Sequence, residues 1–242
     1  MRTVTILMPL FREKKRLERS IAEISEFVRR RDDFSFSLLM VDDGSGDGTA
    51  GFARELAERH ALERVQVLEL KKNRGKGAAV RAGVAKATGD LILMTDCDLS
   101  APLDELSSLA KAVDEGADFV FGSRKLKGSR MDVPPPLLRR LSSLAFHFAV
   151  WLAGVRDFRD TQCGFKLFRA AAARQVFADM RIDRFAFDVE LILRARAAGF
   201  RVDEVAVRWN YSDDSTVRVF SSGAGMMLDL VKIAWWRITG GI

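Results

Sequence analysis

Asp90-Leu-Ile-Leu-Met-Thr-Asp-Cys-Asp-Leu99 is an apolar run that ends abruptly in two carboxylates one residue apart, Asp96 and Asp98. Along a strand, residues i and i+2 share a face. This reading therefore points both carboxylates the same way from the end of a buried strand. Two hard oxygen ligands so placed can hold Mg²⁺ or Mn²⁺, and a divalent ion there can grip a diphosphate. A polar strand end also produces Asp-x-Asp by chance, so the rest of the chain must decide.

Working outward, strand-like runs stand at 4–7, 36–41, 65–70, 91–95 and 119–121, with helical patterns at 14–30, 49–59, 77–87 and 103–115. Strands alternating with helices predict an α/β fold with a Rossmann-like, mostly parallel central sheet flanked by helices. Ligands bind such sheets outside the carboxyl ends of the strands. The polar clusters follow that rule: Glu13 after the first strand, Asp42-Asp43-Gly-Ser after the second, 71–76 after the third, Asp96 and Asp98 after the fourth. A dinucleotide fingerprint is missing, because Pro9-Leu-Phe-Arg12 stands where Gly-x-Gly-x-x-Gly would; a P-loop sequence is also missing.

The chain has 242 residues, 48% of them hydrophobic, enough for one α/β domain with an appendage. Lys and Arg (39) exceed Asp and Glu (33), a net charge of +6 that suits a polyanionic partner. The aromatic, Arg-interleaved pattern of an RNA-binding sheet is absent, so no nucleic-acid partner is expected. Cys97 and Cys163 lack zinc-site spacing and read as reduced thiols of a cytosolic protein. The chain enters a strand at Thr3, so no signal peptide is expected. The longest uncharged stretch, 141–155, falls short of the roughly 20 residues that span a bilayer.

Segment 126–136, with Gly128 and three consecutive prolines, reads as an extended loop. An apolar helix at 137–154 follows, with Arg139 and Arg140 in its first turn, then a helix at 185–198 and a strand at 202–207. The tail at 223–238 is amphipathic and ends in Trp235-Trp236-Arg237. Both helices suit contact with a membrane surface, or packing in a core or dimer interface. The expected division is a catalytic domain at 1–210, with an interface helix at 137–154, and a tail at 211–242.

Several motifs carry chemistry. In Val41-Asp-Asp-Gly-Ser-Gly-Asp-Gly-Thr49, Asp42 or Asp43 can accept the N–H of a uracil ring; the bland alternative is a turn with Thr49 capping a helix. Lys71-Lys-Asn-Arg-Gly-Lys-Gly77 opens a helix whose N–H groups favour anions, and Lys76 adds a charge for a diphosphate; otherwise it is a solvated basic loop. Arg124, Arg139 and Arg140 can converge on a phosphate. Asp160 opens the polar run Asp160-Thr-Gln-Cys-Gly-Phe-Lys166 and reads as a catalytic or acceptor-orienting carboxylate, or as a cap. Asp188 and Glu190 form an inward-facing pair or bridge to Arg194 and Arg196. His60 and His147 read as structural.

Taken in order, Pro9-x-x-x-Glu13, Val-Asp-Asp-Gly-Ser, Asn-Arg-Gly-Lys-Gly-x-Ala-Val-Arg-x-Gly and Asp-x-Asp-Leu-Ser resemble inverting family 2 glycosyltransferases with the GT-A fold. Gly122-Ser-Arg124 and Asp160-Thr-Gln-Cys-Gly-Phe-Lys166 narrow the likeness to transferases acting on polyprenyl phosphates, most of all dolichyl-phosphate β-glucosyltransferases. Arg12 stands where Asn is usual, and Cys97 where Ala is more common.

The resemblance implies transfer of glucose from UDP-glucose to a polyprenyl phosphate with inversion. Pro9, Glu13, Asp42 and Asp43 would bind the uridine, while Lys76 and Arg81 would close over the nucleotide. Asp96 and Asp98 would hold Mg²⁺ or Mn²⁺ and the sugar diphosphate. Arg124 with Arg139 or Arg140 would bind the acceptor phosphate. Asp160 would sit beside the attacking oxygen, making Asp160 and Asp98 the catalytic carboxylates. The expected location is the cytoplasmic face of a membrane, peripheral or monotopic, with a homo-oligomer left open. Alternatives keep the fold with GDP-mannose, UDP-GlcNAc or a UDP-uronic acid as donor, or make the chain a non-catalytic sugar-nucleotide-binding module.

Overall fold

A computed structural model describes the backbone of residues 1–131, 137–210 and 219–242, and the side chains of 1–130, 143–210 and 223–242. The first half alternates as expected: β1 (Arg2–Leu10), α1 (Lys14–Arg29), β2 (Phe34–Asp42), α2 (Thr49–Arg59), β3 (Val65–Glu69), α3 (Lys76–Lys86) and β4 (Leu91–Thr95). A 3₁₀ turn (Leu103–Glu105) leads into α4 (Leu106–Asp114), then β5 (Phe119–Ser123), β6 (Arg130–Met131) and α5 (Leu137–Ala153). The rest is β7 (Phe165–Arg169), α6 (Ala170–Ala178), α7 (Phe187–Ala197), β8 (Val202–Ala206), β9 (Arg208–Trp209) and α8 (Val219–Ile238).

The main sheet runs β3-β2-β1-β4-β7-β5-β8. Its pairings are parallel except those of β7, which lies antiparallel between β4 and β5. Alternation divides the core into two layers. Val4, Ile6, Met8, Leu91 and Leu93 pack under α1, α2 and α4, whereas Leu7, Ile92 and Met94 pack under α3, α6 and α7. Gly83 of α3 lets that helix close on the sheet, because a Cβ there would strike Leu7.

Strand β7 and helix α6 fall between 154 and 185, where the sequence expectation places no element. The polar run from Asp160 disguises Phe165-Lys-Leu-Phe-Arg169, whose Phe165 and Leu167 enter one layer and Phe168 the other. Lys166, fully buried in mid-strand, makes the segment read as a loop. Phe168 packs against Phe119, Phe121 and Phe177 at centroid distances of 5.4, 6.4 and 5.9 Å. Phe168→Ala is expected to cost about 3–5 kcal/mol in urea unfolding; a loss under about 1 kcal/mol would mean that the layer is not packed as described.

Helix α8 packs on α5 and α7, with Leu230 and Ile233 buried in the second layer. Together α5 and α8 expose Leu144, Phe148, Leu152, Leu228, Val231 and Trp235. No helix among the described residues is long and apolar enough to cross a membrane.

Candidate active site

The carboxyl ends of β1, β2, β4 and β5 bring the polar clusters to one edge of the sheet. Leu10 pairs with Asp42 in register, and the Asp43 N–H donates to the Leu10 carbonyl at 2.9 Å. Pro9, opposite Val41, lies partly exposed near the end of β1. Asp43 accepts the backbone N–H groups of Arg74 (2.9 Å) and Gly75 (2.7 Å), so it fastens the basic loop to the end of β2. Burial raises the Asp43 carboxyl above its ordinary range, against the pull of those two N–H groups. Asp42 accepts the hydroxyl of Ser45, which in turn accepts the Arg12 N–H at 2.8 Å. Gly44 turns at φ +63°, where a Cβ would meet the Lys72 backbone.

Strand β4 ends at Thr95, and Asp96-Cys-Asp98 forms a turn closed by the Leu99 N–H on the Asp96 carbonyl at 3.1 Å. Asp96 and Asp98 therefore share no strand face, because the chain has left the strand at Thr95. The turn still gathers the acids. Asp96 and Asp98 both act on the charges of Lys76 and Glu13. Lys76 Nζ lies 2.5 Å from Asp96 Oδ1, and Asp98 Oδ1 accepts the Ser100 N–H at 3.0 Å. Glu13 pairs with Arg16 at 3.3 Å; burial, then Asp98 and Asp96, raise its carboxyl against Arg16.

Asp160 and Arg124 form a two-pronged ion pair. Arg124 Nε and Nη2 donate to the two Asp160 oxygens at 2.6 and 2.8 Å, and the Arg124 backbone N–H adds a third bond at 3.0 Å. Burial favours the neutral acid, but the guanidinium overrides it and holds the Asp160 carboxyl at about 2. Asp160 therefore orients Arg124 and is poorly matched to taking up a proton at neutral pH. Burial opposes the Arg124 charge, while Asp160 and, more weakly, Asp96 hold it above its ordinary range. The Arg124 guanidinium lies 4.9 Å over the Trp209 ring. Glu204 anchors the Asp160 loop by accepting the N–H groups of Arg159 (2.9 Å) and Asp160 (2.7 Å).

Arg81 is spent elsewhere, on the Met180 carbonyl (2.8 Å) and Asp183 (2.5 Å), bracing α3 against the loop before α7. Arg139 and Arg140 lie outside the residues whose side chains are described. The Asp188–Glu190 question divides. Glu190 is structural: it holds the Ile182 N–H at 2.7 Å and Arg194 at 2.7 Å, while Arg196 pairs with Asp157. Asp188 faces the site, 3.1 Å from Lys166 Nζ and within reach of the Lys76 charge.

Lys166 and Gly164 also belong to the site, although the sequence motifs do not single them out. A lysine in an otherwise apolar strand was the available signal for the first. Gly164 packs under the Asp96 carboxylate, which an added Cβ would strike. Both thiols are buried, and burial pushes that of Cys163 up to about 12, so neither is a ready nucleophile.

The chain has named relatives. The model of Glycosyl transferase family 2 matches residues 5–177. The chain belongs to that family. This glycosyltransferase is 36% identical to a dolichyl-phosphate beta-glucosyltransferase of Drosophila melanogaster, over 98% of this chain and 76% of the relative. It is 33% identical to the Homo sapiens protein so named, again over 98% and 76%. Among solved structures, the glycosyltransferase superposes with TM-score 0.66 on glucosyl-3-phosphoglycerate synthase from Mycobacterium tuberculosis in complex with Mn²⁺, uridine diphosphate and phosphoglyceric acid. That match is 16% identical and covers 96% of this chain and 77% of the other, which establishes the GT-A fold alone.

Proposed function

We propose that this glycosyltransferase moves glucose from UDP-glucose to a polyprenyl phosphate of the dolichyl type, with inversion, giving polyprenyl-phosphate β-glucose and UDP. The observation that carries the reading is the similarity, over nearly the whole chain, to relatives named dolichyl-phosphate beta-glucosyltransferase. Its site supports the same chemistry. Acids and Lys76 gather at the ends of β1 and β4, and a guanidinium stands close enough to Asp96 to feel its charge.

The donor set fits a hard divalent ion. Asp96 and Asp98 offer carboxylate oxygens, and Gly164, lacking a Cβ, lets the Asp96 carboxylate pack against it. No group of three or more His, Cys, Asp or Glu suited to a metal occurs among the described residues, so diphosphate and water oxygens would complete the shell. When bound, such an ion stabilises negative charge on the leaving diphosphate. Lys76 adds a charge to the same end. Asp42, Asp43, Glu13 and Pro9 frame the nucleotide, and Arg124, fixed by Asp160, presents a guanidinium to the acceptor phosphate. That phosphate is already anionic near neutrality, with a second pKa of about 6, so the attack needs no side chain as base.

The exposed apolar residues of α5 and α8 are read as a membrane contact on the cytoplasmic side, where free thiols stay reduced. Arg156 stacks on Trp151 at 4.7 Å and Arg181 on Trp236 at 5.3 Å, placing charge and aromatics together as at a lipid interface. The double variant Leu228→Glu, Val231→Glu is expected to lose most binding to anionic liposomes at low salt with its Tm unchanged, since both residues are exposed. Co-sedimentation equal to the parent protein would refute the contact.

A donor panel with one short polyprenyl phosphate tests the function. UDP-glucose should be used in preference to GDP-mannose, UDP-GlcNAc and a UDP-uronic acid. Transfer from another donor, or from none, would replace the reading.

A further inference from the structure

The resting site already holds a cation against its acids. Lys76 Nζ stands 2.5 Å from Asp96 Oδ1, and Asp98 acts on the same charge. An ammonium here sits where a divalent ion bound to Asp96 would come. Beyond it lies Asp188, 3% exposed. Its Oδ2 accepts Gln162 Nε2 at 3.3 Å, but its Oδ1 accepts no hydrogen bond among the described residues. Lys166 Nζ forms an ion pair with that oxygen at 3.1 Å and also donates to the Cys163 carbonyl. A buried carboxylate oxygen held by one ion-pair partner keeps lone pairs for a further donor. Lysine, a point charge on a flexible stem, is suited to move between partners.

We infer that Lys76 is the resident cation of the Asp96–Asp98 pair, that an entering divalent ion displaces it, and that Asp188 Oδ1 and the donor diphosphate are its second station. This rests on the metal reading given above. Lys76 keeps its charge throughout. Metal alone must evict an ammonium and binds weakly. A nucleoside diphosphate offers the evicted ammonium an anion, so metal and nucleotide strengthen each other's binding reciprocally. The exchange also keeps two carboxylates from facing each other uncompensated between turnovers.

The test is Mn²⁺ binding to the full chain, followed by the electron paramagnetic resonance of free Mn²⁺, with and without UDP and with no acceptor. Lys76→Met should bind Mn²⁺ alone about tenfold more tightly than the parent protein, equivalent to about 1.4 kcal/mol. UDP should tighten Mn²⁺ binding by about tenfold or more in the parent and by less than about threefold in Lys76→Met. Lys76→Arg, which keeps the charge, should stay weak. Asp188→Asn should weaken Mn²⁺ binding when Lys76 is present and leave it unchanged in the Lys76→Met background, a coupling that a merely structural Asp188 would not show.

Lys76→Met binding no tighter than the parent overturns the exchange, and this variant decides it even if Asp188→Asn fails to fold. Equal effects of Asp188→Asn in both backgrounds overturn the second station. A parent protein that binds no Mn²⁺ even with UDP overturns the metal reading and the exchange together. Intact exchange without glucose transfer would instead refute the proposed donor or acceptor.

Discussion

Asp98→Asn is expected to lower metal-dependent turnover about a thousandfold, the equivalent of roughly 4 kcal/mol of transition-state stabilisation. The substitution keeps an oxygen for the Ser100 N–H, which Asp98 now accepts at 3.0 Å, so the turn after β4 should survive. What it removes is one of two charges available to a divalent ion. The loss should appear in kcat, with circular dichroism and Tm unchanged. It should not be recovered by raising UDP-glucose, because the missing interaction acts on charge that develops as the diphosphate leaves. Normal turnover in a folded Asp98→Asn protein would remove Asp98 from the metal and return Asp-x-Asp to ordinary turn chemistry.

Asp160→Asn is expected to destabilise the fold by about 3–5 kcal/mol, because it strands the Arg124 charge beside a neutral amide. The pH dependence has a definite sign. The Asp160 carboxyl is held at about 2 in the folded protein, below an ordinary value near 3.9. Its contribution is therefore fully present above about pH 4 and is lost as pH falls toward about 2. The parent protein should lose stability across that window, and Asp160→Asn should lose less. Arg124→Lys keeps the charge but not the fork. It should raise the KM for polyprenyl phosphate more than that for UDP-glucose. A rise confined to the donor KM would reassign Arg124 to the nucleotide half.

The parallel half of the fold was legible because its strands are continuous apolar runs and its helices are separated by glycine and polar turns. Asp-x-Asp was legible for a reason that did not hold. The pair is gathered by a turn beyond β4 rather than by strand alternation. Strand β7 was hidden by the buried Lys166, whose ammonium is accommodated by Asp188, the Cys163 carbonyl and the Phe121 ring at 5.2 Å. Asp188 and Glu190 differ in role though two residues apart. One faces the sheet edge where Lys76 ends, and the other accepts backbone N–H groups of the preceding loop. No local pattern distinguishes them, because each role depends on residues brought in by other elements. The same holds for Arg81, whose partners at 180 and 183 lie across a helix boundary. Arg124 and Asp160 were each noticed as phosphate-facing groups, but their pairing across 36 residues shows only in the structure.

The most direct measurement of the central claim is a proton NMR time course of the purified protein with UDP-glucose, Mn²⁺ and a short polyprenyl phosphate in detergent. The account predicts loss of the α-anomeric signal of UDP-glucose, matched by a β-glucosyl phosphate signal and one equivalent of UDP, only when metal and lipid phosphate are both present. An α-configured product, release of free glucose independent of the lipid phosphate, or no turnover under these conditions would contradict it.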